Sequence, residues 1–321
     1  MTVSASPLLL ALLPLTLALS GQAGAPPQAQ DQSAHTTSNL TESTRAVAHG
    51  FLEQMFVIGD MRGAYDRFVD PNFIQHNPEI GDGIVAHRAF FAEKAKLAGN
   101  TGSWANVNNI LLVDGDLFAL HHHVFTGPKD SGRVFVDIWR VRDGRIVEHW
   151  DVIQPIPAQQ AHRNGMACGK GEDYASARAI GNTLAKPTCG LPDPSSSRSA
   201  SLKVIDSYAG ALRKGDVRAA TETWLSPDYR QHSPMVGDGV QGALDFLLAE
   251  FGKGVSAMPK MGAIRTIAEG DYVMHHRLTT YADGRETANV DIFRIGVGRI
   301  NEHWDLKQPV PDEAANRNGM W

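Results

Sequence analysis

The chain has 321 residues, long enough for two ordinary domains, and its 20% charged and 42% apolar residues describe a globular protein. A formal charge of −5 gives no electrostatic reason to expect nucleic acid or an anionic membrane as partner. No Gly-rich phosphate loop, Gly-x-Ser-x-Gly elbow or dinucleotide fingerprint occurs, which leaves nucleophilic serine or cysteine chemistry without support.

Residues 1–25 read as a secretory signal peptide: Leu8–Ser20 is a short apolar core and Ala23-Gly24-Ala25 offers a small-x-small cleavage site. No Lys or Arg precedes that core, so an uncleaved lipid-facing anchor is the rival reading. The expected location is secreted or periplasmic, with no membrane contact after cleavage. Residues 26–42 are polar and rich in Pro, Gln, Ser and Thr, the composition of a disordered lead-in.

Two related units follow, at 43–166 and 200–321, joined by a Gly/Ser/Pro-rich linker at 167–199. "FIQHNPEIGDG" (Phe73–Gly83) answers to "YRQHSPMVGDG" (Tyr229–Gly239), and "DGDLFALHHH" (Asp114–His123) to "EGDYVMHHRL" (Glu269–Leu278). "VDIWRVRDGRIVEHWD" (Val136–Asp151) answers to "VDIFRIGVGRINEHWD" (Val290–Asp305), and Asn164-Gly165-Met166 to Asn318-Gly319-Met320. Each unit opens with apolar residues at helical spacing that stop at Gly-Asp. An amphipathic turn comes next, with Tyr65 and Phe68 or Trp224, and then a helix over Ile84–Leu97 or Val240–Phe251. Strands of period two are predicted near 104–113, 117–126, 133–141 and 145–153, with counterparts in the second unit. Helices first and strands later argue for α+β, with helices packed on one face of a mostly antiparallel sheet. The only cysteines, Cys168 and Cys189, lie in the linker; paired, they would add about 3 kcal/mol on the chain-entropy estimate, although two free thiols stay open.

"VRDGR" predicts a three-residue hairpin loop, Arg142-Asp143-Gly144, with Gly144 left-handed beside a bulge; Gly298 holds the same place in "IGVGR". In that register Asp137 faces His149, and Phe135, Asp137, Trp139, His149 and Asp151 share one side. A two-residue Asp-Gly turn would move Asp137 to the other side. Asp137, His149 and Asp151 then form an acid–base cluster, repeated as Asp291, His303 and Asp305, or else His-x-Asp merely satisfies backbone at a sheet edge. Glu148 and Glu302 alternate to the opposite face with Trp150 and Trp304 and are expected to make cross-strand pairs.

His121 has its counterpart in His276, while Arg277 and Leu278 replace His122 and His123. "GDLFALHHH" resembles the opening of a cupin metal site, but the following glutamate is absent; His76, His121, His123 and His149 are the alternative ligand set in the first unit. His76 and His232, in "QHNP" and "QHSP", lead into a helix N-terminus that could meet a carbonyl or anionic oxygen, or are surface histidines in a turn. Asp82 and Asp238 read as helix caps.

"FIQHNP…GDG", "DGDLFALHHH" and "VDIWRVRDGRIVEHWDVIQPIP" together resemble the SnoaL-like branch of the nuclear transport factor 2-like superfamily, nearest its predicted aldol-condensation group. The resemblance covers about Thr44–Met166 and Leu202–Met320. It implies a curved sheet wrapped by helices into a cone, an apolar pocket at its mouth, and aldol chemistry by a pocket aspartate and histidine without metal or cofactor. Asp137 and Asp291 are the first choice for that aspartate, followed by Asp151 and Asp305; Phe135, Trp139 and Phe293 are the expected substrate-binding walls.

Three functions stay open. As an enzyme, a pocket aspartate with its pKa lifted above about 3.9 removes a proton beside a carbonyl, His149 or His121 (His303 or His276 in the second unit) assists, and His76 or His232 orients the substrate. As a binding module, the same cone holds a small apolar molecule. As a structural protein, the two units pack as an internal pseudo-dimer.

Overall fold

The computed structural model describes residues 27–97, 104–169, 171–181, 184–251 and 259–321; the expected signal peptide lies outside them. Helix α1 (Pro27–Leu52) runs into a π-helical turn, Glu53–Val57, and is followed by α2 (Met61–Phe68), strand β1 (Val69–Gln75) and α3 (Gly83–Leu97). Then come β2 (Ala105–Asp114), β3 (Leu117–Phe125), β4 (Arg133–Arg142) and β5 (Arg145–Pro155). A short α4 (Tyr174–Ile180) lies between the units. The second unit repeats the order as α5 (Arg198–Arg213), α6 (Val217–Trp224), β6 (Leu225–Gln231), α7 (Gly239–Phe251), β7 (Lys260–Glu269), β8 (Tyr272–Thr280), β9 (Glu286–Gly296) and β10 (Arg299–Pro309). The class is α+β, as the sequence pattern requires. Among the described residues no helix is long and apolar enough to cross a membrane.

The two sheets have matching strand orders, β1-β5-β4-β3-β2 and β6-β10-β9-β8-β7. One strand per unit escapes the sequence pattern: β1 and β6 pair in parallel with β5 and β10. Pro71 and Pro227 argue against a strand, but these are edge strands with shifted register, where a missing N–H costs little. The composition of 26–42 suggests disorder, yet α1 begins at Pro27; proline suits a first helical position and no further proline follows before its end.

The β4–β5 turn corrects one expectation and keeps its consequence. Arg142 pairs with Arg145, so the loop has two residues, Asp143 and Gly144, both left-handed at φ 51° and 74°. The bulge sits further along β5, where Val147 has no partner between Ile146 and Glu148. That extra residue restores the parity, so Asp137 lies opposite Asp151, Trp139 opposite His149, and all four share a face. The second unit places Val297 in the left-handed position at φ 50°, fully exposed. Val297→Asp, matching Asp143, is expected to raise stability by about 1 kcal/mol in urea unfolding, because a β-branched residue fits that conformation poorly.

Each sheet buries one face under its own helices and the other against its partner sheet. Phe51, Tyr65, Phe118 and Trp139 pack in the first helix-side core, and Val204, Tyr229, Val273 and Ile300 in the second. Ile110, Val136 and Trp150 share a core with Ile267, Val290 and Trp304 between the sheets. Contacts across this interface are reciprocal: Ile153 N donates to Gln308 Oε1 and Lys307 N to Gln154 Oε1, at 2.7 and 2.9 Å. The linker is no free tether. Cys168 and Cys189 are disulfide-bonded, Thr188 and Cys189 donate to the Asn108 and Asn109 carbonyls, and the Tyr272 hydroxyl donates to the Cys189 carbonyl.

Candidate functional site

Strand alternation assembles the polar cluster on the helix side of the first sheet. Asp137 Oδ1 accepts from His149 Nε2 at 2.9 Å, and Oδ2 from His122 Nε2 at 2.5 Å. The other nitrogen of each ring meets a side-chain amide: His149 Nδ1 lies 3.0 Å from Gln75 Oε1, and His122 Nδ1 is hydrogen-bonded with Asn106 Oδ1. Each ring is therefore bridged between Asp137 and a side-chain amide and packed among aromatic rings. Trp139 stacks on His149 at 5.2 Å, Phe135 tilts against His122 at 5.2 Å, and Phe56 of the π-helical turn covers His122 from above at 5.3 Å.

Asp151 is different. Its Oδ2 accepts from Asn77 Nδ2 at 2.6 Å, while its buried Oδ1 has no hydrogen-bond partner in the protein. Burial pushes both carboxyls up, but the hydrogen bonds and charge of His122 and His149 outweigh it at Asp137 and hold that group well below the usual carboxylate range. At Asp151 burial wins, reinforced by the Asp137 and Glu79 carboxylates against His149 and Asn77, and the pKa rises to about 6. The lifted carboxyl expected at Asp137 is thus on its cross-strand neighbour, because the two imidazoles face Asp137.

Behind the cluster, Tyr65 of α2 and His87 of α3 stack at 4.1 Å, with 2.7 Å between the phenol oxygen and Nε2. Burial and His149 lower His87 to about 3, so its ring is neutral; burial, Asp137 and Asp151 hold the Tyr65 phenol well above 10. The pair lines a cavity of about 310 Å³ together with Met61, Arg62, Arg88 and Phe91. Trp139 is only 2% exposed and packs on Phe118 and Phe51, so it supports the cluster and is no open wall.

Four of the expected site histidines are elsewhere. His121 and His276 point to the face between the sheets; both ring nitrogens of His121 lack a partner, and Arg265 donates to His276 Nδ1 at 2.9 Å. His76 and His232 also turn to that face. Each stacks on a tryptophan, Trp150 or Trp304, and donates to a glutamate, Glu148 or Glu302. Residues 75, 76 and 77 continue the alternation of β1, so Gln75 and Asn77 reach the cluster while His76 points away. This removes the metal reading built on His76, His121, His123 and His149, since His149 faces the opposite side from the other three. Glu148 pairs across the strands with Arg140 at 2.7 Å, as its face predicts. Asp82 and Asp238 accept from the backbone of Gln75 and Gln231 and so tie down the strand ends. Donor atoms of Asp137, His149 and Asp151 lie within 4.8 Å of one another, close enough to share a proton or meet a cation.

In the second unit the same positions are neutralised. Asp291 is paired with Arg277, the counterpart of His122, and with His303 at 3.1 Å. Burial would raise it, but Arg277 and His303 hold it far below the usual range. Lys307 lies 3.1 Å from Asp305, which raises the lysine in turn. Phe293 stacks on His303 at 4.6 Å. Thr221 and Ala243 stand where the first unit has Tyr65 and His87.

Gln75, Asn77, Tyr65, His87 and His122 are site residues that the sequence pattern did not single out. A strand reading of "FIQHN" would have found Gln75 and Asn77 by alternation. His87, a histidine in a helix where the other unit has alanine, was the visible signal on α3.

A five-stranded sheet packed by helices around a buried polar cluster defines the first unit as a domain of the α+β cone class. Residues 48–149 match the SnoaL-like domain family. Among solved structures it is similar to TsrD from Streptomyces laurentii, at 22% identity over 35% of this chain and 90% of that one, with a TM-score of 0.29. It is also similar to an NTF2-like protein of unknown function from Mesorhizobium loti, at 16% identity over 36% and 97%, TM-score 0.31. A third, from Burkholderia xenovorans, shares 17% identity over 36% and 88%, TM-score 0.30. Comparison with curated proteins finds no match.

Proposed function

We propose that the first unit is a cofactor-independent acid–base catalyst acting beside a carbonyl group, by aldol condensation, cyclisation or isomerisation, in an exported tandem duplicate. The observation that carries this reading is Asp151: a buried carboxyl raised to about 6, with one oxygen free of any partner, beside a second carboxyl held ionised. Two titratable groups driven apart by their surroundings are the signature of assigned acid–base roles. Asp151 Oδ1 takes the proton from carbon, and the Tyr65–His87 pair supplies a hydrogen bond to the developing enolate oxygen. Asp137, gripped by His122 and His149, fixes the ring that Gln75 also holds and keeps negative charge beside Asp151. The disulfide and the apolar segment before Pro26 support export.

The second unit has its aspartates locked in ion pairs and lacks the Tyr–His pair, so chemistry belongs to the first unit alone. Deuterium exchange into 2-tetralone, an apolar ketone, tests both points by NMR. Asp291→Asn is expected to leave the exchange rate within about twofold while lowering stability, since it strands Arg277. Exchange no faster than in buffer for the unmodified protein, across 2-tetralone and other apolar ketones that bind, would favour the simple binding module instead.

A further inference from the structure

The two units hold each other by their tails. Residues after β5 cross to the second unit: Ala161 N donates to the Pro234 carbonyl, Asn164 Nδ2 to that of Gln231, and His232 Nδ1 to that of Gly165, at 2.8, 2.9 and 3.0 Å. Residues after β10 return the contact. Ala315 N donates to the Pro78 carbonyl at 2.7 Å and His76 Nδ1 to that of Gly319 at 2.7 Å. Asn316 Nδ2 donates to the carbonyls of Asn77 and Ile80, at 2.7 and 2.9 Å. Asn318 Nδ2 donates to the Gln75 carbonyl at 2.8 Å and to Asp82 Oδ1 at 2.7 Å.

The loop gripped this way is the one that orients the cluster. Gln75 presents its side chain to His149, and Asn77 presents its amide to Asp151. Their own carbonyls point the other way and are satisfied by the tail. Within the loop, Asn77 N donates to Gln75 Oε1 and Glu79 N to Asn77 Oδ1, so the two side chains are linked to the loop's own shape. Releasing the carbonyls frees the turn to rotate, and with it both amides. The crossing is symmetric in contacts but not in consequence. The tail of the first unit grips the loop of a unit whose site aspartates, Asp291 and Asp305, are already locked by Arg277 and Lys307; the tail of the second grips the loop of the site with an unpartnered carboxyl oxygen.

We propose that Asn316 and Asn318 are positioning residues for the first unit's site, so that the second unit serves as a built-in clamp that sets the geometry around Asp151. This rests on the acid–base reading of that site for its kinetic consequence only. A misplacement of about 1 Å at a catalytic group is enough to cost on the order of a hundredfold in rate.

The full chain carries the test, as Asn316→Ala, Asn318→Ala and the double variant, with Asn164→Ala as the matched loss of a tail contact on the other side. Two readouts are taken. The first is the carboxyl titration of Asp151 by carbon-13 NMR, its resonance identified by Asp151→Asn. The groups facing it are His149 on its own strand, Asp137 on β4, Asn77 and Glu79 in the loop, and Tyr65 on α2. Loss of the Asn77 hydrogen bond moves that titration to higher pH in the double variant, and Asn164→Ala leaves it in place. The second is exchange into 2-tetralone, where kcat falls about tenfold or more in the double variant with KM within about twofold. Equal titration curves in the double variant and the unmodified protein overturn the proposal. So does an equal displacement by Asn164→Ala, which would mark a general loosening of the fold. Should the unmodified protein not catalyse exchange, the acid–base reading fails, while the titration still decides whether the tail sets the site.

Discussion

Changing Asp151 to Asn is expected to lower the rate of deuterium exchange into 2-tetralone by about 10²- to 10⁴-fold, the range that a positioned general base supplies. The substitution keeps the shape and the Asn77 contact at Oδ2 but removes the basic oxygen that has no other partner. In the unmodified protein the rate rises through pH of about 6, because the folded group loses its proton there and only the ionised form abstracts one. That rising limb disappears in the variant. Asp137→Asn also slows the reaction, for another reason: it leaves one acceptor oxygen where His122 and His149 had two, and takes away the charge that helps lift Asp151. Its residual activity therefore titrates at lower pH. A rate in Asp151→Asn within threefold of the unmodified protein would remove Asp151 as the base.

Lowering the pH from 7 to 5 is expected to destabilise the fold by several kcal/mol. Burial holds His121 well below its ordinary 6.5, and lowers His123 to about 4 and His276 and His87 to about 3. The unfolded chain binds protons on these rings near 6.5 while the folded chain does not, so stability is fully present above 6.5 and falls as the pH drops below it. Each group contributes on the order of 2 kcal/mol over that interval, at about 1.4 kcal/mol per pH unit. Asp151 opposes the trend, since its folded pKa of about 6 lies above the unfolded value and its protonation favours the fold as the pH falls through 6. Four histidines outweigh one carboxyl. Thermal melts at pH 7 and 5 read the difference, and His121→Leu, which removes a ring with two unpartnered nitrogens, is expected to flatten it. A melting temperature equal at both pH values would show that the buried rings titrate normally.

Period-two spacing was enough to place β2–β5 and β7–β10 within a residue or two, because alternation is a local property of the chain. It was not enough for β1 and β6, whose prolines read as breakers until their edge position is known. The hairpin shows the same limit. Asp143-Gly144 could form either loop, and the sidedness of Asp137 depends on a bulge at Val147 that no local motif announces. His121 and His76 looked like site residues because histidines in repeated motifs suggest chemistry, yet each lies on the face that meets the other sheet.

The sequence by itself determined the α+β class, the two related units and the shared face of His149 and Asp151, two residues apart on one strand. Each of these follows from spacing, composition or repetition along the chain. Tertiary structure alone decided which carboxyl is lifted, that Tyr65 and His87 stand behind it, and that the tails cross between the units. These depend on burial and on hydrogen bonds between residues far apart in the chain, and a carboxyl's charge state is set by what packs around it.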